Sequence, residues 1–98
     1  MSTYVLASKL SPELSKNLKK RAEAGRQWMK RVKRDCPKVK FLAHYAILGR
    51  YDFLDIYEAP DEETAMKVSM ISLAGGAVTA ESWPAVPYQR FLSIIKNL

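Results

Sequence analysis

The sequence predicts one α+β domain in which four strands and two helices follow the order β-α-β-β-α-β, with a short helix at the end. Its 98 residues suit a single hydrophobic core. Hydrophobic residues make up 48% of the chain and charged residues 27%, which is the balance of a folded globular protein and excludes intrinsic disorder. Stretches typical of strands alternate with two well-capped helical stretches, which gives the element order. We therefore treat residues 1–98 as one domain.

The first strand and the first helix are predicted near the N-terminus. Thr3–Lys9 is β-branched and aromatic at its start and short enough for a strand. Ser11 is a good N-cap residue, Pro12 suits the first helical turn because it has no N–H group to leave unpaired, and Glu13 favours the positive end of the helix dipole. Pro37 ends the helix. The apolar residues of this helix recur at near-helical spacing at Leu14, Leu18, Ala22, Met29 and Val32, with Trp28 beside them.

A β-hairpin is predicted to follow. Val39–Leu48 is an unusually apolar strand, Gly49-Arg50 is typical of a two-residue turn, and Tyr51–Glu58 is the returning strand. Across a two-residue turn at these positions, facing residues have numbers that sum to 99. The spacing therefore places His44 opposite Asp55.

The second helix and the last strand complete the order. Asp61 is a helix N-cap, and the Gly75-Gly76 pair ends the helix. Ala77–Trp83 is the last strand, and prolines separate it from a short apolar tail, Tyr88–Leu98. This order is the split β-α-β arrangement, in which four antiparallel strands carry both helices on one face.

Both faces of the predicted hairpin are apolar, although a sheet with one face in water normally alternates apolar with polar residues. One face would carry Phe41, Ala43, Tyr45, Ile47, Leu54 and Ile56. The other would carry Leu42, Ala46, Leu48, Phe53 and Tyr57. Because two helices cover only one face, the helix-free face needs a second copy to bury it. We therefore expect self-association as a homodimer or a higher homo-oligomer.

Positive charge is concentrated in the first part of the chain. The net charge is +6, but Lys9–Lys40 alone holds twelve Lys and Arg residues against three acidic ones. This asymmetry raises nucleic acid or another anionic partner as a hypothesis. The basic residues are spread over several faces of the helix, without the exposed aromatic residues of a binding stripe. We therefore favour a solvated helix surface over nucleic-acid binding.

Several classes of protein are disfavoured by what the sequence lacks. No stretch approaches the ~18 apolar residues of a membrane span, and the N-terminus has no signal-peptide pattern, so we expect a cytoplasmic protein with no membrane partner. One cysteine, Cys36, allows no internal disulfide, and together with one histidine it forms no zinc-finger spacing. Basic neighbours can lower the pKa of this thiol, but no base or resolving thiol accompanies it, which favours an inert residue at a helix end. We expect no metal and no cofactor.

Several separated segments resemble the GYD-domain family, which is named for a Gly-x-Tyr-Asp turn. These segments are Leu48–Phe53 with Glu58–Asp61, Tyr4-Val5 with Lys9–Pro12, and Ala80–Ser82. The resemblance spans residues 3–95 and implies a ferredoxin-like fold that pairs into a dimeric α+β barrel. It implies no activity, because the family has no established general function. Asp55 and Trp83 depart from the family pattern, which has apolar and aliphatic residues there, and either is consistent with a pocket particular to this protein.

The predicted pairing of His44 with Asp55 is the main candidate site. Facing residues have Cβ atoms roughly 4.5–5.5 Å apart, which is close enough for a carboxylate to orient an imidazole. The pair shares a face with Phe53 and Tyr57, which we assign to the interior of the barrel, and we expect Glu81 to point the same way. The candidate catalytic residues are His44, Asp55 and Glu81, and the candidate pocket residues are Tyr51, Phe53, Tyr57 and Trp83.

Each candidate also has a structural interpretation, and for the pair we favour it. His44 and Asp55 would then be a satisfied polar pair that fixes the register of the dimer. A metal site of these two residues and Glu81 is disfavoured, because one histidine and two carboxylates have no diagnostic spacing here. Tyr51 and Asp52 are explained by a turn in which the carboxylate caps backbone N–H groups.

The sequence thus favours a small cytoplasmic dimeric module, not an enzyme, that binds a small ligand or assembles through its helix-free sheet face. One alternative is a cofactor-independent isomerase or monooxygenase that uses His44 and Asp55 in the barrel pocket. Another is a protein that binds nucleic acid or another anionic partner through the basic first helix.

Overall fold

The computed structural model describes the whole chain, Met1–Leu98, and confirms the predicted α+β fold. The strands are β1 (Ser2–Leu10), β2 (Lys40–Ala46), β3 (Phe53–Ala59) and β4 (Ala77–Ala85). The helices are α1 (Pro12–Lys16), α2 (Leu18–Asp35), α3 (Glu62–Ala74) and α4 (Tyr88–Lys96). The strands form one antiparallel sheet in the order β2-β3-β1-β4, and α2 and α3 pack on one side of it.

The long first helix predicted from Ser11 is two helices that meet at Asn17. Ser11 caps α1, with its Oγ accepting a hydrogen bond from the backbone N–H of Leu14 at 3.3 Å. Asn17 has an extended backbone (φ −108°, ψ 100°), and its Oδ1 accepts a hydrogen bond from the N–H of Lys20 at 3.0 Å. An asparagine side chain that caps a new helix competes with continuation of the previous one, so the prediction of one continuous helix is wrong at this residue.

Helix α3 begins and ends at the residues that the sequence predicts. Oδ1 of Asp61 accepts a hydrogen bond from the backbone N–H of Thr64 at 2.9 Å. At the other end, the N–H of Gly75 donates to the carbonyl of Ile71 at 3.0 Å. Gly76 follows with φ of +115°, a conformation that residues with a Cβ atom rarely adopt. The chain can therefore turn directly from α3 into β4.

The connection between β2 and β3 is longer than the predicted two-residue turn. Strand β2 ends at Ala46, and β3 begins at Phe53. The loop between them is closed by a hydrogen bond from the N–H of Ile47 to the carbonyl of Asp52 at 2.9 Å. The predicted register nevertheless holds beside the loop, where residues with numbers that sum to 99 pair with each other.

A β-bulge in β2 changes which residues share a face. The register shifts between Phe41 and Ala43, so Leu42 is the extra residue and Phe41 pairs with Tyr57. Phe41 and Tyr57 therefore lie on one face, whereas the sequence predicts them on opposite faces. Their rings pack with centroids 5.8 Å apart. The bulge thus adds an aromatic ring to the face that the helices cover.

The hydrophobic core lies between the sheet and helices α2 and α3. The sheet contributes Tyr4, Leu6 and Tyr57, and the helices contribute Val32 and Val68. Because side chains alternate across a strand, the intervening residues point to the other face of the sheet. That helix-free face carries Val5, Ala7, Ala43, Tyr45, Leu54, Ile56 and Trp83. No helix packs extensively on it, and its two largest side chains, Tyr45 and Trp83, are 59% and 40% exposed.

Helix α4 stands apart from the core. None of its residues is buried, and it does not pack extensively on any other element. Exposed apolar side chains recur along it with the spacing of one helical stripe, at Tyr88, Phe91, Leu92 and Ile95. None of the four helices has both the length and the apolar character that a membrane span requires.

Candidate ligand pocket

A pocket of about 450 Å³ lies between helix α2 and the sheet. The pocket exists because the first half of α2 directs few large apolar side chains at the sheet. Towards the end of the helix, Trp28 and Val32 pack into the core. One turn before Trp28, Ala24 and Gly25 leave the space open. A volume of this size lies in the range that small-molecule sites occupy.

His44 and Asp55 form a polar pair that lines this pocket. They are neighbours across β2 and β3, and Nδ1 of His44 is hydrogen-bonded to Oδ1 of Asp55. Asp55 is only 1% exposed, whereas the side chain of His44 is 52% exposed. Because the carboxylate engages Nδ1, Nε2 is the ring nitrogen left free for another group.

Burial raises the pKa of Asp55 above its usual range, because a charged carboxylate loses its hydration inside the protein. The hydrogen bond and the charge of His44 oppose this shift. A buried carboxylate destabilises a fold unless it is paired, and His44 is the side chain that pairs with it. The two residues are therefore coupled: Asp55 orients the imidazole, and the imidazole stabilises the buried charge.

Two aromatic rings stack on His44. The ring centroids of Trp28 and Phe53 each lie 6.0 Å from that of His44, with interplanar angles of 19° and 11°. Trp28 is itself fixed, because its Nε1–H donates a hydrogen bond to Oγ of Ser72 at 2.8 Å. These contacts restrict the imidazole and give the pocket flat, apolar walls.

Arg21 brings a positive charge to the pocket. Its guanidinium carbon lies 5.7 Å from the centroid of the Phe53 ring, a cation–π arrangement. The guanidinium has no carboxylate within 4.0 Å. Arg26, the other arginine at the pocket, is paired with Glu23 at 2.6 Å. Arg21 is therefore the cation at this site that is available to a ligand.

The predicted site residues lie on two faces of the sheet, and the expected barrel interior does not hold the histidine pair. His44, Asp55 and Phe53 face α2 and line the pocket within one chain. The alternation of a strand determines which residues share a face, but it does not determine which face the helices cover. The prediction that this pair lies on the helix-free face, inside the barrel, is wrong.

Glu81 lies on the opposite face and is not part of the His44 site. It pairs with Ala7 across β4 and β1, on the helix-free side. Its carboxylate accepts hydrogen bonds from the indole N–H of Trp83 and the hydroxyl of Tyr51, each at 2.9 Å. These bonds hold the pKa of Glu81 below its usual range, and the bond to Glu81 raises the pKa of Tyr51. Tyr51 and Trp83 therefore belong to a separate cluster and not to the pocket.

Tyr57 is a core residue and does not line the pocket. It is fully buried, and its ring stacks on that of Tyr4 with centroids 5.5 Å apart. Its hydroxyl lies 2.8 Å from Oγ of Ser82. Burial raises the pKa of Tyr57 to about 12. Of the four pocket residues predicted from the sequence, only Phe53 lines the pocket.

The residues that α2 contributes to the pocket were not predicted from the sequence. Trp28 does pack against the core as its apolar character predicts, but it also lines the pocket, and so does Arg21, which belongs to the basic residues predicted to be solvated. A usable signal was present, because Arg21, Ala24 and Trp28 share one helical face. An arginine followed by small residues interrupts the apolar stripe there, which is typical of a helix that does not fill the space beneath it.

Cys36 is buried at the end of α2. Its backbone N–H donates to the carbonyl of Val32 at 2.7 Å. Burial raises the pKa of the thiol, so the basic residues nearby do not activate it. No group of three or more His, Cys, Asp or Glu side chains is placed to hold a metal ion.

Comparison with known proteins gives the family. A model of the GYD domain matches residues 4–95. The chain belongs to the GYD-domain family. A protein from Thermus thermophilus, named "Glutamine synthetase and cystathionine beta-lyase binding protein", is similar to this GYD protein. The two are 28% identical over 96 residues, which covers 98% of this chain and 100% of the relative.

The loop that carries the family signature has a structural role in this GYD protein. Gly49 has φ of +142°, a conformation that favours glycine. Oδ2 of Asp52 accepts a hydrogen bond from the N–H of Leu10 at 2.8 Å, and the N–H of Asp52 donates to the carbonyl of Ser8, also at 2.8 Å. These bonds fasten the β2–β3 loop to the end of β1, where Ser8 and Leu10 line the pocket.

Proposed function

We propose that this GYD protein is a cytoplasmic ligand-binding module and that the pocket under α2 is its binding site. The observation that supports this most directly is the His44–Asp55 pair. Two apolar residues at these positions would pack without the loss of hydration that a buried carboxylate suffers. The fold alone therefore does not require the pair, whereas a ligand that hydrogen-bonds to an oriented imidazole does.

Each group at the pocket has a defined task in this proposal. Asp55 orients His44, so that Nε2 presents one lone pair or one N–H to the ligand. The rings of Trp28 and Phe53 pack against the apolar part of the ligand. Because these groups are already held by hydrogen bonds and stacking, binding orders few side chains, which favours affinity.

Occlusion of the pocket tests the proposal. An Ala24→Leu variant places an isobutyl group in the space under α2, at a helical position that leucine suits. We screen neutral, cationic and anionic fragments against the wild type by following the indole N–H resonance of Trp28, and expect saturable shifts that Ala24→Leu abolishes. Gln27→Leu adds the same side chain at an exposed position of α2 and should bind as the wild type does. A wild type that no fragment shifts, or an Ala24→Leu variant with unchanged binding, would refute the proposal.

Catalysis by the same pair is a second candidate function, which the free Nε2 of a carboxylate-oriented imidazole favours. His44 would then act as a general base in a cofactor-independent isomerase or monooxygenase. Fragments that bind are incubated with the wild type and with His44→Gln, and product formation is followed. A catalytic protein forms product, and His44→Gln does not form it even at ligand concentrations that saturate the variant. A binding module returns every ligand unchanged.

We also propose that the protein is a homodimer in which the helix-free sheet faces pack together. Seventeen large hydrophobic residues of the chain are exposed, and two of them, Tyr45 and Trp83, are the largest side chains of this face. The face also carries charges of both signs, from Lys9, Lys40, Glu58 and Glu81. Because a two-fold axis would set this surface against itself, lysines of one copy could pair with glutamates of the other.

Sedimentation tests the dimer. Ile56 lies on the helix-free face, and an Ile56→Glu variant would bury two like charges across the two-fold axis. We expect the wild type to sediment as a dimer and this variant as a monomer. His44→Gln, on the other face of the same sheet, serves as the control and should remain a dimer. A wild type that sediments as one chain at high concentration contradicts the dimer but leaves the pocket proposal intact.

Protein binding is a further candidate, which the name of the Thermus relative suggests. Helix α3 offers a surface for it, because Met66, Met70 and Leu73 are exposed on its outer side. We propose the glutamine synthetase and the cystathionine beta-lyase of the same organism as the partners to test. Binding of either purified enzyme that Met70→Glu weakens would support this function. Absence of binding at micromolar concentration would contradict it.

A further inference from the structure

We infer that the pocket takes a small planar organic anion, with its carboxylate on Arg21 and its flat body against the aromatic walls. This inference rests on the proposed ligand-binding function and adds the chemical class of the ligand.

The charge of the ligand follows from the charges that the pocket leaves unmatched. Arg21 has no carboxylate within 4.0 Å, and no side-chain hydrogen bond of the chain uses its guanidinium. Asp55, the one acidic residue that lines the pocket, is already engaged by His44. The site therefore offers an anion a free guanidinium and offers a cation no free carboxylate. A guanidinium matches the two oxygens of a carboxylate in a paired, fork-like geometry.

The surroundings of the pocket favour the approach of an anion. Lys19 and Lys20 are exposed on the first turn of α2, next to Arg21. The chain as a whole carries a net charge of +6. A positive field around a cleft raises the local concentration of anions and their rate of association, and salt screens this effect.

The flat shape of the ligand follows from the walls. The rings of Trp28 and His44 are nearly parallel, and so are those of His44 and Phe53. An aromatic or conjugated body packs on such walls with more contact than a branched aliphatic one. An inorganic anion such as phosphate would reach Arg21 but would leave the apolar walls unused.

Two further polar groups are free to hydrogen-bond to a substituent on that body. Ser8 is 7% exposed and lines the pocket, and its hydroxyl takes part in no hydrogen bond of the chain. Nε2 of His44 is likewise unpaired. A hydroxyl or carbonyl group on the ligand, away from its carboxylate, would find a partner at either position.

Matched probes test the charge and the shape separately. We titrate the intact protein with 1-naphthoate, with its neutral analogue 1-naphthamide and with inorganic phosphate, and follow the Trp28 indole resonance and the heat of binding. We expect 1-naphthoate to bind at least about tenfold more tightly than 1-naphthamide, because a carboxylate pairs with Arg21 and an amide does not. Phosphate should bind more weakly than 1-naphthoate, because it gains no contact with the rings.

Substitution of the arginine locates the effect. Arg21→Gln should remove the preference for 1-naphthoate, so that the affinities for the two naphthalene probes lie within about twofold of each other, while Arg21→Lys should keep part of the preference. Arg34→Gln, which removes an arginine that is paired with Asp35 in the last turn of α2 and does not line the pocket, should leave the preference intact. Thermal unfolding confirms that each variant is folded.

The outcomes separate this inference from the proposed function. Equal binding of 1-naphthoate and 1-naphthamide, or a preference that survives in Arg21→Gln, would overturn the anionic class while the pocket remains a ligand site. Tighter binding of phosphate than of 1-naphthoate would overturn the planar body. If neither naphthalene probe bound and no fragment of any charge shifted Trp28, the proposed function itself would fail.

Discussion

Asp55 is a carboxylate that water hardly reaches, and its surroundings determine what His44 can do. The bond between them fixes which imidazole nitrogen is engaged, and the stacked rings of Trp28 and Phe53 fix the plane of the imidazole. Neither effect requires a ligand to be present. The site is therefore arranged in advance of binding, which lowers the entropy that binding loses.

We expect the stability of the wild type, relative to an Asp55→Asn variant, to fall as the pH rises from about 3 to about 7. Because burial raises the pKa of Asp55, the native state binds this proton more tightly than the unfolded chain does. The carboxyl group therefore stabilises the fold below the usual aspartate pKa of about 3.9, and this contribution is lost as the pH passes the folded pKa. Urea unfolding of both proteins across this range measures the difference.

Asp61→Asn provides a control of opposite sign. Hydrogen bonds from Thr64 hold the pKa of Asp61 below its usual range. The contribution of Asp61 is therefore present above the unfolded pKa and is lost as the pH falls. The stability of the wild type relative to Asp61→Asn should increase with pH, whereas its stability relative to Asp55→Asn should decrease. If the stability of the wild type relative to Asp55→Asn instead increased with pH, burial would not be the dominant influence on the pKa of Asp55.

Asp52 is the signature residue whose removal should weaken the fold most directly. Asp52→Ala leaves the N–H of Leu10 without its acceptor in a partly buried place, which should lower the free energy of unfolding by about 1–3 kcal/mol. Asp52→Asn keeps an oxygen acceptor and should lose less than half as much. Urea denaturation compares the two. Equal losses would mean that the charge of Asp52, and not its hydrogen bond, holds the loop.

The pairing of His44 with Asp55 could be predicted from the sequence, but the face of the sheet that carries the pair could not. A hairpin centred on Gly49-Arg50 sets these two residues opposite each other, although the connection is longer than two residues. The bulge at Leu42 leaves no comparable signal, and it moves Phe41 to the helix-covered face. Which face the helices cover depends on packing between elements distant in sequence, and here that packing placed the pair under α2.

At the scale of elements, the pocket is a property of α2. The capping residues Ser11 and Asp61 predict where helices begin, because their side chains bond to the next turn. The break at Asn17 was not predicted, since the apolar spacing of the chain continues through it. Beyond the break, the face of α2 that points at the sheet starts with Arg21 and small residues before Trp28. Helix α2 therefore packs on the sheet through its second half, and a space remains between its first half and the sheet.

Two glycines, one inside α2 and one in the turn between α3 and β4, should respond to alanine in opposite directions. Gly25 lies inside α2, and a Cβ atom built there meets no atom within 4 Å, so Gly25→Ala should raise the free energy of unfolding by about 0.5–1 kcal/mol through helix propensity. Gly76 has φ of +115°, and a Cβ atom there would lie 2.7 Å from Cδ2 of Leu14. Gly76→Ala should therefore destabilise the protein by more than about 1 kcal/mol. Thermal and urea unfolding measure both, and a stabilised Gly76→Ala variant would contradict the direct turn from α3 into β4.

At the scale of the whole molecule, one chain buries little of itself. Only 13 of its 98 residues are buried, and its dimensions are 50 × 30 × 18 Å, which is elongated for a chain of this length. Both the open sheet face and α4 contribute to this shape, because neither is covered by the rest of the chain. A second copy would cover apolar surface that water otherwise contacts.

Helix α4 should take part in the contact between the two copies of the dimer. Its stripe of exposed apolar residues does not pack extensively on any other element of the chain, so we expect these side chains to gain a partner in a dimer. A double variant, Phe91→Ser with Ile95→Ser, should raise the dimer dissociation constant by at least about tenfold, because each buried side chain of this size contributes about 1.5–3 kcal/mol. The control variant, Gln89→Ser with Lys96→Ser, changes the polar side of the same helix and should leave the constant unchanged. Sedimentation equilibrium measures all three proteins. If the apolar variant dimerises as tightly as the wild type, α4 lies outside the dimer contact, and the sheet face alone must account for association.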